Sequence, residues 1–311
     1  MLIALTFLII VGFSWTCTGI VMGGTSRHNV PYSLMQLIAY CFSTAVTVSL
    51  LFSGLYPPLS ISRASFLQAC WIYPVVGALN FLLLVIMAKG MERGPNSLVW
   101  AILQSGMVIP FIYGICFHGV KAGVLRLAGM VLLLVAVPLM ALSRKGKDEP
   151  KKSNGRSWVV LALMAFAVCG IQQTLNSEPS YNEEIRTGFS AVHRCLLMYI
   201  ANVVVAAFML FLPSQASVRR NLRAHLKNRY LWIYAIGLQS LGLISGFFLL
   251  FNGMDRMAKL GMGAISYPIM VVSCIMGFTL FSLIWLRERL TWQAVAGLVS
   301  CMAGMVLICL Q

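Results

Sequence analysis

The chain has 311 residues, 59% of them hydrophobic and only 10% charged, against about 45–50% apolar and about 25% charged residues in an ordinary soluble domain. A net charge of +15 would suit nucleic acid in a soluble protein, but every charge falls outside ten uncharged runs that can each hold a membrane-spanning helix. Composition thus excludes a water-soluble fold and a nucleic-acid partner, and ten spans of about 20 residues leave no room for a separate soluble domain.

In chain order the runs are 1–26, 28–62, 64–88, 94–120, 127–143, 157–177, 195–218, 230–254, 260–286 and 290–311. No Lys or Arg precedes Leu2–Met22 and no small-x-small cleavage site follows it, so the first run is read as a retained helix rather than a signal peptide. Between the fifth and sixth runs lies Ser143–Ser157, the one polar linker containing Pro and Gly. It divides the chain into a first five-helix half (1–142), a basic linker (143–157) and a second five-helix half (158–311). Between the seventh and eighth runs Val218, Leu222 and Leu226 recur at i, i+4 and i+8 beside Arg219, Arg220, Arg223 and Lys227. That pattern predicts a short interfacial helix facing anionic lipid. The nine cysteines lack metal-ligand spacing and read as small apolar filler.

The basic residues divide unevenly between the two membrane faces, sixteen beyond the ends of odd-to-even hairpins and seven on the face that carries both chain ends. The positive-inside rule puts the richer face in the cytoplasm and both termini outside. The chain is accordingly read as a multi-pass protein of the cell (inner or plasma) membrane.

Two landmarks recur at matching places. The third helix ends in Gly90, Met91, Glu92 and Arg93, and the eighth in Gly253, Met254, Asp255 and Arg256. Trp100 of the fourth run with Gly129 of the fifth corresponds to Tyr267 of the ninth with Gly297 of the tenth. Five helices separate equivalent positions, and five is odd, so the second copy enters the membrane upside down. Such inverted-topology repeats, with a midplane site on the pseudo-two-fold axis, are the architecture of alternating-access carriers.

Residues 263–304 contain Pro268 near the start of the penultimate helix, Glu288, Leu290, Thr291 and Gln293 in the turn that follows, and Gly297 and Gly304 in the closing helix. This pattern resembles the EamA-type repeat of the drug/metabolite transporter superfamily. In the first half Gly129 matches, Trp15-Thr16-Cys17 is similar to a Trp-Gly-Ser-like element, and His118-Gly119-Val120-Lys121 replaces the acidic turn. The resemblance implies an all-α integral membrane protein of ten transmembrane helices in two inverted five-helix repeats, transporting small organic metabolites. It also implies cytoplasmic termini, opposite to the charge count.

Polar groups at membrane depth mark either interhelical hydrogen bonds or a solute path. They are Trp15 and Thr18 in the first helix, Asn80 in the third, Trp100 and Gln104 in the fourth, Gln172, Gln173 and Asn176 in the sixth, Gln239 in the eighth, and Tyr267 and Ser273 in the ninth. Ser97, Trp100 and Gln104 share one helix face by spacing, as do Gln172 and Asn176. Each group can equally serve as packing glue. Arg194, directly before a charge-free run, is expected to snorkel to the interface. Pro110, Pro138 and Pro268 lie inside helices and predict kinks.

The expected function is secondary transport, as uniport or exchange, of a small neutral or zwitterionic metabolite such as a sugar, nucleoside or amino acid. No cofactor and no metal are expected. The rivals are an integral-membrane enzyme, for which the four scattered histidines supply no catalytic cluster, and a passive channel. A buried carboxylate for proton coupling is not expected, because all eight acids fall in loops or at helix ends.

Overall fold

The computed structural model describes residues 1–93, 96–143, 157–284 and 292–309, and every element among them is helical. The linker residues 144–156 and the turn residues Glu288, Leu290 and Thr291 lie outside the described residues. The helices are α1 (Leu2–Arg27), α2 (Tyr32–Phe52), α3 (Arg63–Arg93), α4 (Asn96–Gln104), α5 (Val108–His118), α6 (Val124–Ser143), α7 (Ser157–Tyr181) and α8 (Glu183–Gly188). They continue as α9 (Ala191–Phe211), α10 (Ala216–Arg220), α11 (Leu222–Leu226), α12 (Arg229–Trp232), α13 (Leu241–Lys259), α14 (Ser266–Ile284) and α15 (Trp292–Cys309).

Six segments are long and apolar enough to cross a membrane: Leu2–Val21, Tyr32–Phe52, Arg63–Met91, Ser157–Tyr181, Ala191–Phe211 and Arg229–Lys259. Four shorter apolar helical stretches accompany them, at Ile102–His118, Val124–Ala136, Gly263–Gly277 and Val295–Ile308. Large apolar side chains such as Val131, Val204, Phe208 and Val299 face outward, which water would penalise and lipid does not. The chain is an all-α integral membrane protein.

Helix ends follow their local sequence. Pro31 precedes α2 in an extended conformation, and α5 stops at Gly119, whose φ of 61° lets the Val120 N–H return to the Gly114 carbonyl at 3.2 Å, a Schellman turn. The uncharged run 28–62 is only partly helix, because Gly54, Pro57 and Pro58 break it after Phe52. The predicted interfacial helix is two short ones, α10 and α11, separated at Asn221. Leu222 and Leu226 are exposed there, while Arg219 turns back to donate to the Leu210 and Leu212 carbonyls at the end of α9.

Packing joins the front of the chain to its back. α1 lies against α13 and α14, α7 against α3, α4 and α5, α2 against α9, and α6 against α15. The last pair touches backbone to backbone. A methyl group on Gly304 would stand 2.8 Å from the Gly129 carbonyl, and one on Gly129 would stand 2.6 Å from the Gly304 carbonyl. Small residues permit that approach, and it is how helices gain dispersion contacts where lipid removes the hydrophobic drive.

Candidate functional site

Six segments enclose a cavity of about 660 Å³ including its open mouth. α1 contributes Trp15 and Thr18, α3 contributes Asn80, Leu83, Leu84 and Met87, and α4 contributes Trp100, Leu103 and Gln104. From the second half α7 adds Cys169, Gln172 and Gln173, the segment before α13 adds Gln239, and α13 adds Gly242, Leu243 and Phe247. None of these side chains is charged. The lining belongs to the second half of α1 and α3 and to the middle of α7, so the cavity sits near mid-height, displaced towards the ends where α3 finishes and α4 begins.

Two helix irregularities set its polar groups. Gln104 is the last residue of α4, and Ser105–Met107 form a 3₁₀ turn before the chain restarts as α5. Pro110 accounts for the break, since its ring cannot tolerate the carbonyl four residues back, that of Gly106, in a continuous helix. Between α12 and α13, Ile233–Ser240 is a π-helix, the wide form that recurs at functional sites. The Ser240 hydroxyl is shared between the Ala235 carbonyl five residues back at 2.7 Å and the Ala39 carbonyl of α2 at 3.1 Å, and Gln239 beside it lines the cavity. Opposite it, a side chain at Gly246 would meet the Trp15 indole nitrogen at 3.0 Å, so this glycine makes the room that Trp15 occupies, tilted against Phe247 with ring centroids 6.2 Å apart.

The amides differ in how far the protein satisfies them. Asn80 donates to the Tyr40 hydroxyl at 3.0 Å, Gln239 to the Gln36 carbonyl oxygen at 3.4 Å, and Gln173 weakly to the Cys169 sulfur at 3.2 Å. Gln36 in turn donates to the Tyr32 hydroxyl at 2.7 Å. The side chains of Gln104 and Gln172, residues each 3% exposed, hydrogen-bond no other described residue. Both amides reach the open space of the cavity, whereas Gln173 Oε1 and Gln239 Oε1 are buried without a partner, each at a cost of about 1–3 kcal/mol.

Eight of the eleven residues singled out in the sequence therefore line one cavity: Trp15, Thr18, Asn80, Trp100, Gln104, Gln172, Gln173 and Gln239. The other three lie elsewhere. Asn176 donates to the Tyr267 hydroxyl at 2.8 Å, linking α7 to α14, and Ser273 bonds the Ile269 carbonyl within its own helix. The side chain of Ser97 lies outside the described residues. Sequence reasoning passed over Gln36 and Tyr40, which support the cavity amides from α2; Gln36 was visible as a polar residue within an uncharged run.

Arg194 does not snorkel. It is fully buried, donating from Nη1 to Asp255 Oδ1 at 2.8 Å, from Nε to the Phe189 carbonyl at 2.9 Å and from Nη2 to the Ile185 carbonyl at 3.1 Å. The short helix α8 folds over the start of α9, and its last carbonyls receive the guanidinium where lipid headgroups were expected to. Glu178 accepts from the Tyr113 hydroxyl at 2.8 Å and lies 2.8 Å from His118 Nε2, joining α7 to α5. Glu184, in the first turn of α8, accepts from the Ser65 and Ser62 hydroxyls and the Ser62 N–H. Those bonds hold its carboxyl below the usual carboxylate range.

No family model matches this chain, and no curated protein matches it. Twenty-eight chains of solved structures do match. One, described only as the crystal structure of a protein, aligns with 99% of this chain and 98% of its own at a TM-score of 0.71 and 14% identity, which shows a shared fold over essentially the whole chain.

Proposed function

We propose that the protein is a secondary transporter, a uniporter or exchanger, of a small uncharged or zwitterionic organic metabolite, related to the EamA-type carriers of the drug/metabolite transporter superfamily. In this reading the four shorter apolar helices also cross the bilayer, giving ten spans in two inverted five-helix halves. The observation that carries it is the pair of amides bonded to no described residue, Gln104 from the first half and Gln172 from the second, facing one mid-height cavity with no charged side chain among its described lining. Amides left unbonded at that depth, together with the buried unpaired Oε1 atoms of Gln173 and Gln239, are explained by a solute that bonds them.

The packing supports the repeat. A methyl on Gly77 of α3 would meet the Met198 carbonyl and the Asn202 amide of α9, and Ser240 bonds the Ala39 carbonyl of α2. Positions 77 and 240, and 39 and 202, are each 163 apart, the separation of Gly90 and Gly253. The partners of α1, namely α13 and α14, likewise correspond by ordinal to the partners of α7, namely α3 and the α4–α5 pair. Arg220, Arg223 and Lys227, on α10, α11 and the turn after it, are exposed and suit anionic headgroups at the cytoplasmic surface of a cell membrane; Arg219 is already engaged with α9.

The test is solute counterflow in proteoliposomes loaded with sugars, nucleosides or amino acids. A carrier accelerates uptake of labelled solute when the same solute is inside, whereas a channel does not. Gln104→Ala and Gln172→Ala should abolish the acceleration, while Val131→Ala on the lipid face should not. Equal exchange by wild type and both glutamine variants would remove the cavity from the transport path.

A further inference from the structure

We infer that the cavity takes planar, uncharged heterocycles that carry a donor beside an acceptor on one edge, the chemical class of the free nucleobases. The inference rests on the carrier reading for the passage of this solute, and on the cavity alone for its binding.

The side-chain inventory separates the candidate solutes. An amino acid would bring a carboxylate and an ammonium group, and no charged side chain lines the cavity to receive either; stripping ions of water without a counter-charge is prohibitive. A sugar presents hydroxyls around its whole rim. Here one hydroxyl, Thr18, stands against a wall of leucine, methionine and phenylalanine side chains, and each sugar hydroxyl left dry would cost about 1–3 kcal/mol.

A flat heterocycle divides its polarity as the cavity does. Its faces are apolar and polarizable, matching the indoles of Trp15 and Trp100, which come from different helices, and the ring of Phe247. Its edge carries a donor beside an acceptor, and a carboxamide is the side chain whose donor and acceptor lie in one plane at the same spacing, as when glutamine reads adenine. Five carboxamides from four segments converge here, two of them bonded to no described residue and two more with a buried, unpaired Oε1. Rotating either free amide by half a turn only exchanges donor and acceptor, so a small set of edges can be met.

The full-length protein in nanodiscs should be stabilised against heat, with its tryptophan fluorescence quenched, by at least one of uracil, thymine, adenine and hypoxanthine, and not by glucose or alanine. Gln104→Ala should weaken binding of that probe at least about ten-fold. Trp100→Leu should weaken it at least about five-fold through lost stacking, while Trp100→Phe retains it and reports that the site still folds. Binding of glucose or alanine in preference to all four probes, or no binding of any of the four at millimolar concentration, overturns the inference. Counterflow separates the two readings. A heterocycle that binds but is not exchanged removes the carrier and keeps the class; exchange of a sugar or amino acid without heterocycle binding keeps the carrier and removes the class.

Discussion

Replacing Arg194 by methionine keeps the volume and apolar stem of the side chain, so the cost falls on what the guanidinium leaves behind. Three acceptors lose their donor: Asp255 Oδ1 and the carbonyls of Ile185 and Phe189. Removing one partner of a buried ion pair costs about 3–5 kcal/mol, most of it the stranded charge. The Asp255 side chain is 17% exposed and can recruit some water, which argues for the lower end, about 3 kcal/mol. At roughly 2 °C per kcal/mol for a large chain, the melting temperature should fall by about 6 °C, followed by fluorescence-detected size exclusion after heating. The double variant Arg194→Met, Asp255→Leu contains no stranded charge and should recover most of the loss, since replacing both members of such a pair by apolar groups is often neutral. A single variant as stable as wild type, or a double variant no better than the single, would refute the claim that this pair fastens the start of α9 to the end of α13.

Gly304→Ala should destabilise by about 1–3 kcal/mol despite alanine's better helix propensity, because its methyl would enter the Gly129 carbonyl. Adding Gly129→Ala should cost less than its effect alone, since the helices will already have parted; additive losses in thermal melts would count against the contact. Orientation is checked with impermeant thiol labelling in intact cells, in a background stripped of accessible native cysteines. Thr187→Cys should be labelled and Ser217→Cys shielded if the charge distribution rules, and the reverse pattern would hand orientation to the family resemblance. Because the folded carboxyl of Glu184 is held below its ordinary value, its contact with the Ser62–Ser65 turn contributes fully above the unfolded carboxylate pKa and is lost as pH falls through the lower folded one. Hydrogen exchange at the start of α3 should accelerate below about pH 4, and Glu184→Gln should flatten that dependence.

The helical segments were legible because a charge in hydrocarbon is costly, which makes uncharged runs a faithful guide to buried length. The guide fails where a loop happens to be uncharged, as at 53–62, where Gly54, Pro57 and Pro58 carried the signal instead. Polar groups within those runs led to most of the cavity for the same reason: an amide at depth is kept for a bond. Whether that bond goes to solute or to protein was not legible. Asn176 and Gln172 share a spacing, yet Asn176 meets Tyr267, 91 positions away, and no local pattern encodes that encounter. The burial of Arg194 was equally hidden, since it depends on α8 folding back and on Asp255 arriving from another helix. The 3₁₀ turn after Gln104 could have been anticipated from Pro110, but the π-helix before Leu241 has no comparable signature.

The interlacing of α1 with α13 and α14 bears on how such a chain is made. Thr16 reaches the carbonyl of Cys274, 258 positions downstream. At ribosomal rates of about 5–20 residues per second, the first helix waits roughly 13–50 s in the bilayer before that acceptor exists. Throughout this interval its glycine-bearing and hydroxyl-bearing surface is open to lipid and to any other newly inserted segment. Maturation is therefore governed by the arrival of α13 and α14, and a ribosome that stalls before codon 241 leaves α1 without either of these packing partners, a ready target for membrane quality control.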